Sequence, residues 1–118
     1  MSVKCEEKSG VVILRLTGEL DHQEMANIKN EVNKLLAQGK NKVVLDLNGI
    51  ARASLMNIGV LVEQMRLLKS RGGDMKLVKM GSQLCEIFEK LGAADLFCRF
   101  KSDREAVADF RKECSGRA

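Results

Sequence analysis

Residues 43–47, Val-Val-Leu-Asp-Leu, constrain the fold more than any other stretch of the chain. The run is mostly apolar and opens with β-branched residues, which is typical of a strand buried on both faces of a sheet. A helical pattern follows from Ser54, because apolar residues recur at intervals of three or four. These residues are Leu55, Ile58, Leu61, Val62, Met65 and Leu68. A buried strand that leads into an amphipathic helix indicates an α/β fold.

The rest of the chain repeats this alternation. Strands are predicted at residues 2–7, 11–16, 75–79 and 96–100, and helices after Asp21, around 84–91 and after Ser102. The predicted order is β-β-α-β-α-β-α-β-α. It predicts a mixed, mostly parallel sheet of about five strands with about four helices, antiparallel at one edge only. We expect a single domain over residues 1–118, with a core of about residues 3–113.

Length and composition favour one soluble globular domain. The chain has 118 residues, of which 45% are hydrophobic and 31% charged, and single domains usually hold roughly 100–150 residues. No apolar run approaches the ~20 residues of a membrane span. The first ten residues carry four charges rather than the apolar core of a signal peptide. We therefore expect a cytoplasmic protein without membrane insertion.

The charge pattern disfavours direct binding of nucleic acid. The net charge is +4, but the twenty Lys and Arg residues are scattered among sixteen acids. Such a pattern is usually a solvated surface. Trp and Tyr are absent, so the chain lacks the usual stacking platform for bases.

Catalysis, metal binding and cofactor binding are also disfavoured. The four cysteines are widely spaced without a Cys-x-x-Cys pair, which favours free thiols over a zinc site. His22 is the only histidine, and a serine nucleophile normally needs a base and a third orienting group. We expect no enzyme activity, no metal and no cofactor.

Two segments of the chain resemble signatures of STAS domains, the family of sulfate-transporter and anti-sigma-factor-antagonist modules. Residues 43–62, VVLDLNGIARASLMNIGVLV, resemble the family's phosphorylation loop. Residues 16–36, LTGELDHQEMANIKNEVNKLL, resemble its Gly-Glu-Leu-Asp signature and the following helix. The likeness implies the STAS fold and a regulatory module that binds a protein, similar to bacterial anti-sigma factor antagonists. It implies transcription regulation by partner switching, with an anti-sigma factor that has serine-kinase activity as the partner.

The loop differs from the family at the position that carries the switch. Antagonists typically read Asp-Ser-Ser-Gly-Leu-Gly there, whereas residues 54–59 read Ser-Leu-Met-Asn-Ile-Gly. The resemblance implies that Leu55 occupies the phosphoacceptor position, and leucine has no hydroxyl. The chain would then bind whenever its partner is present, or its control has moved elsewhere. Ser54 is either the N-cap of the helix or a substitute phosphoacceptor.

The resemblance also implies a partner-binding surface on the loop 48–56 and the helix that follows. We expect this surface to comprise Asp21, Arg52, Ser54, Leu55, Met56, Asn57 and Val60. Met56, Val60 and Leu67 form a second apolar stripe, which is either part of a broad buried face or an exposed ridge. Asp21 is interpreted equally as a helix cap and as a site residue. Arg52 is a solvated charge or attracts an acidic group.

Two other functions remain open for the same fold. STAS subunits also accompany lipid-transporting ABC complexes, and some family members bind small molecules such as nucleotides. Neighbouring genes would separate the first of these from a sigma switch, and a thermal-shift screen would test the second. A homodimer is compatible with either.

Overall fold

The computed structural model describes residues 3–50 and 52–116, the last four as helix backbone only. Five strands and four helices follow one another in the predicted order. They are β1 (Val3–Lys8), β2 (Val11–Leu16), α1 (His22–Ala37), β3 (Lys42–Asp46), α2 (Leu55–Ser70), β4 (Asp74–Val78), α3 (Ser82–Lys90), β5 (Arg99–Phe100) and α4 (Asp103–Gly116).

The strands form one sheet in the order β1-β2-β3-β4-β5. The β1–β2 hairpin is antiparallel, with Val3 opposite Leu16, and the three other pairings are parallel. The prediction of a mixed, mostly parallel sheet with one antiparallel edge is confirmed. Each parallel pairing needs a helical crossover, which is why the helices separate the later strands.

Strand β3 lies at the centre of the sheet and is covered on both faces. Val43 and Leu45 face a large apolar cluster that α1, α2 and α3 share, while Val44 faces a smaller cluster under α4. All three side chains are fully buried. Burial on both faces explains why this strand reads as a continuous apolar run rather than as an alternating one.

The α4 layer contains a buried lysine. Lys76 is fully buried in β4, and its Nζ lies 2.7 Å from Asp109 Oδ2 and 4.5 Å from the centre of the Phe110 ring. An ion pair and a cation–π contact thus join the sheet to α4. The apolar cluster under α4 is small, so these polar contacts help to fix the helix.

The predicted strand at residues 96–100 is wrong in its first half. Residues Ala94–Leu96 form a 3-10 turn, and only Arg99 and Phe100 pair with β4. In this turn the Leu96 N–H donates a hydrogen bond to the Ala93 carbonyl oxygen at 3.1 Å. Phe97 then packs against Phe88 with ring centres 5.9 Å apart. Tertiary packing of this aromatic pair therefore shortens the strand.

Gly73 supplies a matched test of the fold. A Cβ added there would lie 1.7 Å from the backbone oxygen of Asn41, whereas nothing lies within 4 Å of a Cβ added at Gly59 in α2. We expect Gly73→Ala to lower the free energy of unfolding by about 2 kcal/mol or more, because the backbone at Asn41 or at residue 73 must move to admit the Cβ. Gly59→Ala should raise it by up to about 1 kcal/mol, because alanine favours helix. Urea unfolding of both variants measures the effects, and equal stabilities would contradict the close backbone approach.

Candidate functional site

The candidate site lies where β3 leads into α2, beside the turn that connects β2 to α1. Leu20 and Ala53 form an isolated parallel bridge, which brings the two connecting segments together. The Gly-Glu-Leu-Asp segment and the loop that resembles the phosphorylation loop are therefore neighbours, although more than thirty positions separate Leu20 from Ala53 in the sequence.

Ser54 is the N-cap of α2. Its backbone is extended, and its Oγ accepts a hydrogen bond from the Asn57 N–H at 3.2 Å. The cap satisfies one of the backbone donors that the first helical turn leaves unpaired. This hydrogen bond supports the capping interpretation. The side chain is nevertheless exposed, so the hydroxyl stays accessible.

Leu55 and Met56 form the first residues of α2 and point to solvent. Leu55 is 67% exposed and Met56 is 69% exposed, whereas the other exposed large apolar residues, Leu91 and Leu96, are only 37% and 39% exposed. We call Leu55 and Met56 the apolar pair. The first turn of α2 contains no acidic residue, and Arg52 is exposed just before it. The helix start is therefore apolar, with positive partial charge from its free N–H groups.

The second apolar stripe divides between surface and core. Val60 and Leu67 are partly buried and pack against the large apolar cluster, whereas Met56 is exposed. The exposed ridge is thus confined to the start of the helix, because Val60 and Leu67 turn toward the sheet.

Asn57 has a structural role that the sequence did not predict. Its side chain is only 5% exposed, and its Nδ2 donates a hydrogen bond to the backbone carbonyl of Leu20. Among the described residues, its Oδ1 has no hydrogen-bond partner. The structure therefore does not place Asn57 on the exposed contact surface. It joins α2 to the turn before α1.

Asp21 also caps a helix beside the site. Its Oδ1 accepts from the Glu24 N–H at 2.9 Å, and its side chain is exposed. Glu24 is fully buried, and this burial raises the pKa of its carboxyl above the usual range. Asp21 thus serves as a cap while it lies one residue from the Leu20–Ala53 bridge.

A shallow groove of about 260 Å³ separates α1 from α2 next to the apolar pair. Its lining comprises His22, Met25, Ala26, Lys29, Met56, Asn57 and Val60. The sequence analysis predicted the lining residues of α2, which are Met56, Asn57 and Val60, but not those of α1. The signal for the α1 residues was the spacing of His22, Ala26 and Lys29, which places them on one helix face.

The described residues offer no group of three or more His, Cys, Asp or Glu side chains that could hold a metal ion. Cys5, Cys85 and Cys98 are free thiols, while the Cys114 side chain lies outside the described residues. Within the described ranges, no helix has the length and apolar character needed to cross a membrane.

The family model of the STAS domain matches residues 2–107. The chain belongs to the STAS domain family. An anti-sigma F factor antagonist of Paenibacillus polymyxa is 20% identical over 110 residues, which cover 92% of this chain and 94% of that protein.

Two solved structures of SpoIIAA share the fold of this STAS protein. The anti-sigma factor antagonist SpoIIAA in its unphosphorylated form has a TM-score of 0.77 at 19% identity and covers 99% of both chains. The Bacillus cell fate determinant SpoIIAA in its phosphorylated form has a TM-score of 0.70 at 20% identity, and the match covers 92% of this chain and 98% of that one. At these identities the likeness establishes the fold.

Asn57 provides a stability test at the site. Asn57→Ala removes the donor to the buried Leu20 carbonyl, and we expect it to lower the free energy of unfolding by about 1–3 kcal/mol. Asn30→Ala, at an exposed position of α1, should change it by less than about 0.5 kcal/mol. Thermal or urea unfolding measures both. An equal effect of the two substitutions would show that the Asn57 contact contributes no stability.

Proposed function

We propose that this STAS domain is a regulatory module that binds a protein partner, similar to an anti-sigma factor antagonist, and that its activity is binding rather than catalysis. The observation that carries the proposal is the exposure of the apolar pair, Leu55 and Met56, at the start of α2. Two adjacent large apolar side chains that are more than two-thirds exposed leave apolar surface in water unless a partner covers them.

The surroundings of the apolar pair suit a docking surface. The groove between α1 and α2 opens beside Met56 and continues the apolar surface with Met25, Ala26 and Val60. Arg52, His22 and Lys29 lie at exposed positions around it. An apolar centre with a polar rim is the usual arrangement of a protein interface.

The name of a relative supports the class of partner that we propose. The Paenibacillus relative is named an anti-sigma F factor antagonist and spans nearly the same length as this chain. From that name we infer an anti-sigma factor as the partner, and its serine-kinase activity is inferred from the family resemblance alone. In this proposal Arg52, Ser54, Leu55, Met56 and Val60 contact the partner. Asp21 lies beside this set and belongs to the proposed surface, whereas Asn57 supports it from within.

We propose that this chain departs from its relatives in the switch. SpoIIAA has been solved in phosphorylated and unphosphorylated forms. In the family pattern Asp-Ser-Ser-Gly-Leu-Gly, the two serine positions correspond here to Leu55 and Met56, which both lack a hydroxyl. We propose that neither position accepts phosphate, so that the chain binds its partner whenever the partner is present.

Charge substitutions in the apolar pair test the docking surface. Leu55→Asp and Met56→Glu should each abolish binding, because docking would bury an unpaired carboxylate at a cost of several kcal/mol. Both side chains are exposed, so the melting temperature should stay nearly unchanged. Leu96→Asp, at an exposed apolar position in the 3-10 turn, is the matched control and should leave binding intact.

The measurement is affinity capture from the native cell with wild type and the three variants, followed by mass spectrometry. We expect an anti-sigma factor kinase to be captured by wild type and Leu96→Asp and lost from the two site variants. Retention of that partner by Met56→Glu would overturn the assigned surface. A large loss of stability in Met56→Glu would instead show that Met56 belongs to the core.

The absent hydroxyls are tested separately. Wild type is incubated with ATP and the captured kinase, alongside a variant with Leu55→Ser and Met56→Ser. We expect a mass gain of one phosphate only in the variant, on the peptide that contains residues 54–56. A gain in wild type that Ser54→Ala removes would show that Ser54 has taken over the switch.

A further inference from the structure

A second groove lies on the opposite face of the sheet, between the β1–β2 turn and α4. Its volume is about 280 Å³, and it is lined by the polar residues Lys8, Ser9, Asp103, Arg104 and Arg111 and by the apolar residues Val107 and Ala108. It is remote from the apolar pair, because α4 covers the smaller apolar cluster while α1 and α2 cover the larger one.

The acidic residues next to this groove already form ion pairs with other residues of the chain. Asp103, the acidic residue in its lining, lies 2.7 Å from Arg15 and 3.9 Å from Lys79. Glu6, on the same strand as Lys8, lies 3.0 Å from Arg15. Arg15 and Lys79 therefore offset part of the negative charge of these acids, although both cations also contact Asp46.

Two of the three cations of the groove, Lys8 and Arg104, are less committed. Within residues 3–50 and 52–116, neither Lys8 nor Arg104 forms an ion pair. They come from different elements, the end of β1 and the first turn of α4, and converge on one concave surface with Arg111. Convergent positive charge from separate elements attracts an anion more strongly than single surface cations do.

We propose that this groove binds the phosphate group of a small phosphomonoester. The planar guanidinium of Arg104 presents paired donors that match phosphate oxygens, Lys8 adds a point charge, and the Ser9 hydroxyl can donate a further hydrogen bond. Val107 and Ala108 offer a surface for a short carbon skeleton. At about 280 Å³ the groove is slightly smaller than typical ligand pockets of roughly 300–1,000 Å³, which fits a small molecule rather than a polymer.

This ligand would tie the β1–β2 hairpin to α4. Because the site is separate from the docking surface, the proposal does not depend on the partner named above. It gives the small-molecule function left open by the sequence a defined location and ligand chemistry.

The test is an NMR titration of the ¹⁵N-labelled full chain with glycerol 3-phosphate and, separately, with inorganic phosphate. Glycerol serves as the control, and sodium chloride keeps the ionic strength constant. We expect saturable amide shifts at residues 8–10 and 103–111, with glycerol 3-phosphate bound at a Kd of about 1 mM or tighter and more tightly than inorganic phosphate. Shifts that do not saturate by about 10 mM ligand would overturn the proposal.

Variants locate the site. Lys8→Gln and Arg104→Gln should each weaken binding about ten-fold, because each removes one charge-assisted contact. Lys29→Gln, a cation in the groove between α1 and α2, should leave the affinity unchanged. Unchanged binding in the Lys8→Gln and Arg104→Gln double variant, or equal weakening by Lys29→Gln, would show that the anion binds elsewhere.

Discussion

The burial of β3 between two apolar layers is the constraint on which the rest of the structure depends. Val43 and Leu45 are covered from one side and Val44 from the other. Burial of a Val or Leu side chain contributes roughly 1.5–3 kcal/mol, so helices on both faces are needed to exclude water from this strand. The chain leaves the carboxyl end of this central strand and continues into α2.

That geometry creates the candidate site. The start of α2 lies at the carboxyl end of β3, the region where open α/β sheets place their functional loops. Asn57 fixes the helix start to the β2–α1 turn through the Leu20 carbonyl, and Ser54 caps its first turn. With both polar residues used for support, Leu55 and Met56 are left as the exposed surface of the turn. The same arrangement that could present a regulated hydroxyl in a relative here presents apolar side chains.

The two faces of the sheet are built differently. The face under α1, α2 and α3 is a large apolar cluster, whereas α4 is fixed by a small cluster together with charged contacts. Lys76 pairs with Asp109, and Arg15 joins Glu6, Asp46 and Asp103. For a buried ion pair such as that of Lys76, the cost of desolvation offsets much of the attraction, so the pair adds little net stability. The charged network joins α4 to the sheet, and among the described residues it leaves Lys8 and Arg104 of the second groove without an ion pair.

The sequence by itself determined the order of elements and the mixed, mostly parallel sheet, because apolar periodicity and helix caps are local signals. The resemblance of residues 16–36 and 43–62 to STAS signatures indicated the family. The sequence also placed Leu55 and Met56 at a helix start. Only the tertiary structure decided that Asn57 is buried, that His22 and Lys29 line the groove, and that the last strand shortens to Arg99 and Phe100. Those outcomes depend on which distant residues meet, Leu20 with Asn57 and Phe88 with Phe97, and a periodic pattern along one segment contains no information about its partners in space.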